Sequence, residues 1–331
     1  MKVCVMGGAG YIGSHAVLEL LKHGNEVVVI DNLSTGNEKN ILEGSEFYIG
    51  DITVKEDLVN IFKKECSEKT FDVIMHFAGK LVVPESVTNP LAYYFNNVEG
   101  VRIMLEVMTE FNVKNVVFSS TAAVYGVPSK EVCEEDDYLI PINPYGETKL
   151  ACEKLLKWVA EAHNLNYGIF RYFNVAGADE SLKVGYNYDK EVITHLIPIV
   201  AEVALGIRDK LKIYGDDYNT SDGTCIRDYL HVSDLARAHI LGAKYLIENN
   251  KSFTINLGSN NGFSVKQIVE ETNKIKKIDY VIEPRREGDP DKLIASNKKA
   301  KEIIDWKPKY TLEDIITSEI RYRQIFRKKQ M

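Results

Sequence analysis

Six short runs in the first 175 residues are apolar nearly end to end: "KVCVM", "EVVVI", "EFYIG", "DVIMHF", "NVVFSS" and "YGIFRYF". A strand with one wet face alternates apolar and polar residues, so continuous runs mean strands covered on both faces. Helical patterns lie between most of them, among them Tyr11 to His23 and Pro90 to Asn112. Strand and helix in alternation predict an α/β fold, a doubly wound parallel sheet wrapped by helices. After about Phe173 the rhythm breaks into loops rich in Gly, Asp and Asn, notably "GDDYNTSDGTCIRD". A helical pattern at Val232 to Glu248 and the strand "FTINLG" then read as a return to the first unit. The expected division is 1–175 as a dinucleotide-binding domain, rejoined by 232–258, and 176–331 as mainly a smaller C-terminal substrate-binding lobe. The chain shows no internal repeat and no low-complexity segment.

The net charge of -7 argues against a nonspecific nucleic-acid or membrane-surface role, either of which needs a basic face. An anionic substrate would therefore need locally placed arginines. Five cysteines, Cys4, Cys66, Cys133, Cys152 and Cys225, are scattered without a CxxC pair. With no signal peptide ahead of "KVCVM", that pattern fits reduced thiols and a cytoplasmic compartment. No window reaches the run of about 18 apolar residues that a spanning helix needs, so no membrane partner is expected, and no metal site either.

Directly after the first strand comes "GGAGYIGSH", with Gly7, Gly10 and Gly13 three apart at the entry to a helix. Small residues here let backbone approach a pyrophosphate whose charge sits on the helix N-terminus, the Rossmann-type arrangement. Asp31 closes the second strand "EVVVIDN", where a carboxylate accepts hydrogen bonds from an adenosine ribose and repels a 2'-phosphate, favouring NAD over NADP. An aspartate at a strand end also starts turns, and it is the glycines before it that favour the cofactor. Asp51, in "GDI", fits two readings equally, one beside the adenine and one as a plain strand-end polar residue.

"NPYGETK" places Tyr145 and Lys149 four residues apart at the start of a long helical pattern, with Asn143 suited to the N-cap and Pro144 to the first turn. Side chains at that spacing share a helix face. An ammonium and a cationic nicotinamide beside a phenol both stabilise phenolate and make Tyr145 a usable base. The same pair by itself also describes an exposed aromatic next to a solvated charge. "FSSTAAVYG" adds three successive hydroxyls, Ser119, Ser120 and Thr121, at the end of the fifth strand.

With "DNLSTG", "HFAG", "ESVTNPLAYYFNNV", "RYFNVAGA", "DGTCIRDYLHVSDLA", "NLGS" and "RREGD" added in order, nearly the whole chain resembles the extended short-chain dehydrogenase/reductase superfamily, and within it the UDP-glucose 4-epimerase (UDP-galactose 4-epimerase) family. The resemblance implies an NAD-dependent isomerase acting on a UDP-hexose, working as a homodimer. It implies Tyr145 as base, Lys149 as its partner, and Thr121 where the family usually carries a serine on the sugar 4-hydroxyl. It implies cofactor contacts from Gly7, Gly10, Tyr11, Ile12, Gly13, Asp31, Asn32, Asp51, Ile52, Phe77, Ala78, Asn96, Ser119, Tyr145, Lys149 and Tyr172. On the substrate it places Thr121, Tyr145, Asn174, Arg227, Arg286, Asp289 and Leu293, the arginines on the diphosphate and Asp289 on the uridine ribose. An arginine fork suits a pyrophosphate, although either arginine alone also reads as a surface ion pair.

Leu293 stands four beyond Asp289, where a bulky tyrosine in the family excludes N-acetyl sugars, so the resemblance extends to UDP-N-acetylhexosamines; the competing reading is that Leu293 packs into the lobe and another wall sets the limit. One departure is that the family lysine two residues after "HFAG" is Leu81 here, with Lys80 one place earlier. His76 reads as a packing residue at a strand end. Related dehydratases carry an Asp-Glu pair after the strand-end threonine, and here those places are Ala122 and Ala123. Elimination of water then has neither acid nor base, and what remains is reversible oxidation at C4, a turn of the 4-keto sugar, and hydride return to the other face. The competing readings are a related sugar-nucleotide decarboxylase or reductase, and a non-catalytic dinucleotide sensor, which would have no need of Tyr145 and Lys149.

Overall fold

The computed structural model describes residues 1–189, 193–286 and 289–328. Glu287 and Gly288 of the "RREGD" motif lie outside the described residues. In chain order the strands are β1 (Lys2–Met6), β2 (Glu26–Asp31), β3 (Ser45–Ile49), β4 (Val73–His76), β5 (Asn115–Thr121), β6 (Val132–Cys133), β7 (Asn166–Tyr172), β8 (Asn174–Ala176), β9 (Leu211–Tyr214), β10 (Ile226–His231), β11 (Phe253–Leu257), β12 (Gly262–Ser264), β13 (Tyr280–Glu283) and β14 (Lys292–Ala295). The helices are α1 (Tyr11–Lys22), α2 (Lys55–Glu65), α3 (Val83–Thr88), α4 (Pro90–Tyr93), α5 (Gly100–Glu110), α6 (Pro144–His163), α7 (Leu196–Ala204), α8 (Val232–Asn249), α9 (Val265–Ile275), α10 (Lys298–Ile304) and α11 (Leu312–Lys328).

Seven parallel strands form the larger sheet in the order β11-β7-β5-β4-β1-β2-β3. Strand β1 shows why its run is continuously apolar. Cys4 and Met6 point into one core with Leu58 and Phe62 of α2, Met104 of α5 and Leu156 of α6. Val3 and Val5 point into the other, with Val17 and Leu20 of α1, Leu235 and Ala238 of α8, and Trp306. Both faces are dry, so no position in the strand has to be polar. The order reverses between β1 and β4, and the connections leaving their carboxyl ends part there, opening the crevice in which such sheets bind ligands.

A second sheet runs β12-β10-β14-β6, with β8 also paired to β10. Register within it sets Arg227 of β10 opposite Leu293 of β14, and Asn174 of β8 opposite Tyr229. The pair β9 and β13 makes a separate parallel ribbon. Strands β6, β8 and β12 have no counterpart in the sequence reading, because two or three residues are too few to show a period.

The continuous helix expected over 90–112 is instead broken by a π-helical turn, Tyr94–Glu99, between α4 and α5. Successive residues of a regular α-helix point about 100° apart, as 3.6 residues per turn requires. The wider turn lets two neighbours reach one group: the Asn96 and Asn97 amide oxygens both accept from the Lys80 N–H, at 3.1 and 2.8 Å. The Asn97 amide also donates to the Lys80 carbonyl and to the Thr148 hydroxyl, each at 3.1 Å. Single π-helical turns inside a helical stretch are frequent at functional sites.

A buried ion pair binds the larger sheet to its longest flanking helix. Arg171 of β7 and Glu153 of α6, both almost fully buried, meet through two hydrogen bonds of 3.0 and 2.7 Å. The Ser120 hydroxyl of β5 donates to Glu153 at 2.5 Å, and Arg171 donates to the Tyr125 hydroxyl at 3.0 Å and the Glu135 carbonyl at 3.1 Å. Tyr125 in turn donates to Asn256 of β11 at 2.6 Å. Removing one member strands the other charge in the interior, which costs about 3–5 kcal/mol. Glu153→Ala should therefore lose about that much in urea unfolding, and a loss under about 1 kcal/mol would show that solvent reaches Arg171.

Candidate active site

The chain from β1 into α1 is built to accept an anion. Gly10 is the N-cap of α1, no side chain caps the helix, and its first turn holds no acid. Its leading N–H groups and the positive end of the helix are thus left for a phosphate. Gly7 sits at φ +82°, and a Cβ there would lie 2.6 Å from the Ala78 nitrogen; a Cβ on Gly13 would lie 2.1 Å from the Gly7 carbonyl oxygen. Only glycine permits either approach. The residues present fit a dinucleotide pyrophosphate.

Asp31 makes the turn that a strand-end aspartate can start and also touches the glycine-rich turn. One carboxylate oxygen accepts from the Leu33 N–H at 2.8 Å, a turn in its own right, and the other from the Ala9 N–H of the glycine-rich turn at 3.0 Å. Burial raises its pKa, opposed by these two hydrogen bonds. Each oxygen keeps a lone pair for a ribose hydroxyl. Asp51 accepts from Thr53 at 2.8 Å and from the Asn32 amide at 2.8 Å, so it braces the Asn32 side chain next to Asp31. Ile52 is buried against Gly100, and Ile12 packs on the core below α1. The Tyr11 hydroxyl donates to the Gly177 carbonyl at 2.5 Å, which ties the glycine-rich turn to the segment that follows β8. Ala78 and Phe77 leave β4 beside this turn, their N–H groups both on the Met6 carbonyl.

At the carboxyl end of β5 the fold assembles the reactive side chains. The Asn143 side chain accepts from the Gly146 N–H at 2.9 Å, Pro144 opens α6, and Tyr145 and Lys149 project from its first two turns. A Cβ on Gly146 would lie 2.6 Å from the Ala123 carbonyl oxygen, so the helix start rests against the turn that follows Thr121. Tyr145 is partly exposed and faces the Thr121 hydroxyl. The Lys149 ammonium, buried, donates to the Ser119 carbonyl at 3.0 Å and lies 4.9 Å from the Phe118 ring centre. Burial lowers the Lys149 pKa, against the opposing pull of Cys152 and Glu153. Burial likewise raises Tyr145, with the Thr121 hydrogen bond opposing it. The sequence reading has the ammonium and a cationic nicotinamide together draw the phenol toward neutrality; within the chain itself the lysine is engaged by a backbone carbonyl and burial acts on the phenol in the opposite direction.

The three strand-end hydroxyls separate. Ser119 meets the Nε2 of His239, a buried residue of α8, at 3.2 Å; Ser120 goes to Glu153; Thr121 accepts from the Ala123 N–H at 3.2 Å, capping the next turn, and faces Tyr145. Tyr172, at the end of β7, faces Ser119. His76 is buried beside Phe118, and burial pushes its pKa down to about 3, in keeping with a neutral packing residue. Lys80 pairs with Glu85 at 3.2 Å, while Leu81 is largely exposed.

On the other wall Arg227 and Asp289 form an ion pair of 2.5 Å, with the arginine side chain 12% exposed, and Arg227 also donates to the Ile226 carbonyl. The two candidate ligand groups are thus partners of each other in a largely dry setting. The Arg286 guanidinium stacks 4.0 Å over Tyr214 of β9. Asn174 is exposed at the start of β8, and Leu293 is half-buried against Tyr125, Leu139, Leu150 and Phe173. Sequence reasoning missed Glu153, Arg171 and His239. The arginine inside the apolar run "YGIFRYF" was the one visible signal.

With this geometry in view, comparison with known proteins matches residues 3–258 to the NAD dependent epimerase/dehydratase family. The chain belongs to that family. The UDP-glucose 4-epimerase of Halalkalibacterium halodurans is 49% identical over 96% of this chain and 93% of its own. The Brucella ovis UDP-glucose 4-epimerase, solved in complex with NAD, superimposes with TM-score 0.92 at 41% identity, covering 97% of this chain and 98% of that one. The UDP-Glc/GlcNAc 4-epimerase of Campylobacter jejuni matches with TM-score 0.84 at 40% identity, over 98% and 99%. The fold is the doubly wound α/β fold of these enzymes, and the cofactor is NAD. Purified protein should release NAD on denaturation, identified by mass spectrometry; a preparation that carries NADP instead would overturn the role given to Asp31.

Proposed function

We propose that the protein interconverts UDP-galactose and UDP-glucose by epimerisation at C4. The observation that carries this reading is the end of β5: a phenol, a hydroxyl and an ammonium converge there, and the two places after Thr121 are Ala122 and Ala123. The cleft can move one proton at a sugar hydroxyl and has no carboxylate placed to expel water. Bound NAD supplies the oxidant and then the reductant for C4, and is unchanged over the cycle. Thr121 orients the 4-hydroxyl, Tyr145 takes its proton as C4 becomes a ketone and returns it after the sugar has turned, and Lys149 holds positive charge beside the wall of Ser119. Arg227, Arg286, Asn174 and Asp289 anchor the UDP moiety while the hexose turns. The presence of Tyr145 and Lys149 weighs against a non-catalytic dinucleotide sensor.

The reading gives 1–175 with 232–258 to the cofactor and 176–331 mainly to the UDP-sugar. It also takes the protein as a homodimer through α5 and α6, whose shared groove is lined by Leu105, Leu155 and Val159, with Trp158 of α6 exposed, as are Leu91 of α4 and Phe95 of the π-helical turn ahead of α5. A monomer mass in sedimentation would refute that. Among the described residues no helix is long and apolar enough to cross a membrane, and all five cysteines are free, which supports a reducing, cytoplasmic setting.

Incubation with UDP-galactose and no added nucleotide should yield UDP-glucose, and no conversion with or without NAD would end the reading. Tyr145→Phe should keep NAD bound and cut turnover by roughly 10² to 10⁴, the range for a lost general base; near-normal turnover would move that role elsewhere. Thr121→Val should also be slower. UDP-N-acetylglucosamine should be a further substrate, since Leu293 is smaller than tyrosine and needs no hydrogen-bond partner. The Leu293→Tyr variant should lose the N-acetyl activity and keep the other, and undiminished N-acetyl activity would remove Leu293 from the pocket wall.

A further inference from the structure

His239 of α8 is fully buried, and its surroundings fix its chemistry. The Nδ1 lies 2.9 Å from the Leu235 carbonyl oxygen, and the Nε2 lies 3.2 Å from the Ser119 hydroxyl. The rings of Phe77, Phe170 and Tyr172 surround it at 4.7, 4.9 and 6.3 Å. Burial pushes its pKa down to about 4, so the ring is neutral and carries one proton. A carbonyl only accepts, so that proton is on Nδ1. The Nε2 is then a lone pair, and Ser119 must donate to it.

The direction of this bond propagates. With its proton committed to His239, the Ser119 oxygen has only lone pairs to offer Tyr172, whose side chain lies beside it and packs on the same histidine ring. Tyr145 lies close enough to Tyr172 for its charge to be felt there. A Tyr172 proton turned to Ser119 is kept from the Tyr145 oxygen, and the Tyr172 oxygen offers lone pairs to the cleft. Ser119 also presents its carbonyl to Lys149. Phe77, Ser119 and Tyr172, three residues assigned to the cofactor pocket, thus share one residue behind them.

We propose that His239 is a positioning residue that sets the hydrogen-bond polarity of the Ser119–Tyr172 wall, and through it the fit of NAD and the freedom of Tyr145 to act as base. The proposal rests on the epimerase reading for its catalytic half only. Without an acceptor at the Nε2 position the Ser119 hydroxyl turns toward Tyr172, whose proton is released into the cleft. Glutamine can place an amide oxygen where Nε2 lies, whereas leucine fills the aromatic nest with no acceptor.

The test compares His239→Gln, His239→Leu and Ser119→Ala, using NAD titration of stripped protein, steady-state kinetics on UDP-galactose and thermal melts. His239→Leu should weaken NAD binding and lower kcat by about tenfold each, on the scale of one lost hydrogen bond, with KM for the sugar nucleotide unchanged. His239→Gln should restore both. A role in packing alone predicts the reverse order, because leucine suits an apolar nest better than glutamine. Leucine matching or exceeding glutamine in NAD affinity, or equal impairment of two folded variants, overturns the proposal. Adding His239→Leu to Ser119→Ala should cost nothing further, and additive losses also overturn it. If His239→Leu does not fold, Ser119→Ala must show the lost affinity and His239→Gln must not. Inactivity of the wild type on UDP-galactose would defeat the epimerase reading, while the order of NAD affinities would still decide the role of His239.

Discussion

The buried pair of Arg171 and Glu153 is the constraint on which the position of the catalytic helix depends. A guanidinium and a carboxylate in a dry interior are tolerated only when each is closely paired and the remaining polar atoms are satisfied. Ser120, Tyr125 and the Glu135 carbonyl supply those partners here. The result is that β5, β7, β11 and α6 converge on one cluster with little freedom to slide. Lys149 lies one helical turn before Glu153, and Tyr145 two turns before it. The depth of the ion pair in the sheet therefore sets where the phenol and ammonium emerge.

Around that anchor the strand-end hydroxyls divide the work by the pleat of β5. Adjacent side chains of a strand point to opposite faces. Ser120 meets α6 and closes the ion-pair cluster, while Ser119 meets α8 and its histidine. Thr121, on the same side as Ser119 but at the open end, is left for the cleft. Three consecutive hydroxyls thus meet three different surroundings: the ion-pair cluster, a buried histidine and the turn that faces Tyr145.

The acidic protein handles an anionic ligand by local arrangement. The uncapped, acid-free start of α1 suits a phosphate. Arg227 and Arg286 stand on the other wall, each already held, one by Asp289 and one by the face of Tyr214. Arginines held in place lose less side-chain entropy on engaging a diphosphate than free surface arginines would.

Elements whose geometry is local were legible in the sequence. The glycine spacing of 7, 10 and 13, the cap and turn of Asn143 and Pro144, and the shared helix face of Tyr145 and Lys149 all depend on residues within one turn of each other. The continuity of apolar runs likewise reported that both faces of the sheet are covered, because burial acts on each residue where it stands. The sequence did not reveal the π-helical turn at Asn96 and Asn97, which exists to reach the Lys80 backbone, or the short strands of the second sheet. It also could not say which distant residues meet: Glu153 to Arg171, Ser119 to His239 and Arg227 to Asp289 are pairs 18, 120 and 62 residues apart. Local sequence determined which chemical groups this protein carries, down to the candidate base Tyr145, its neighbour Lys149 and the alanines that follow Thr121. Tertiary structure alone decided how those groups are aimed and ionised, since direction and desolvation depend on neighbours that only the closed fold brings together.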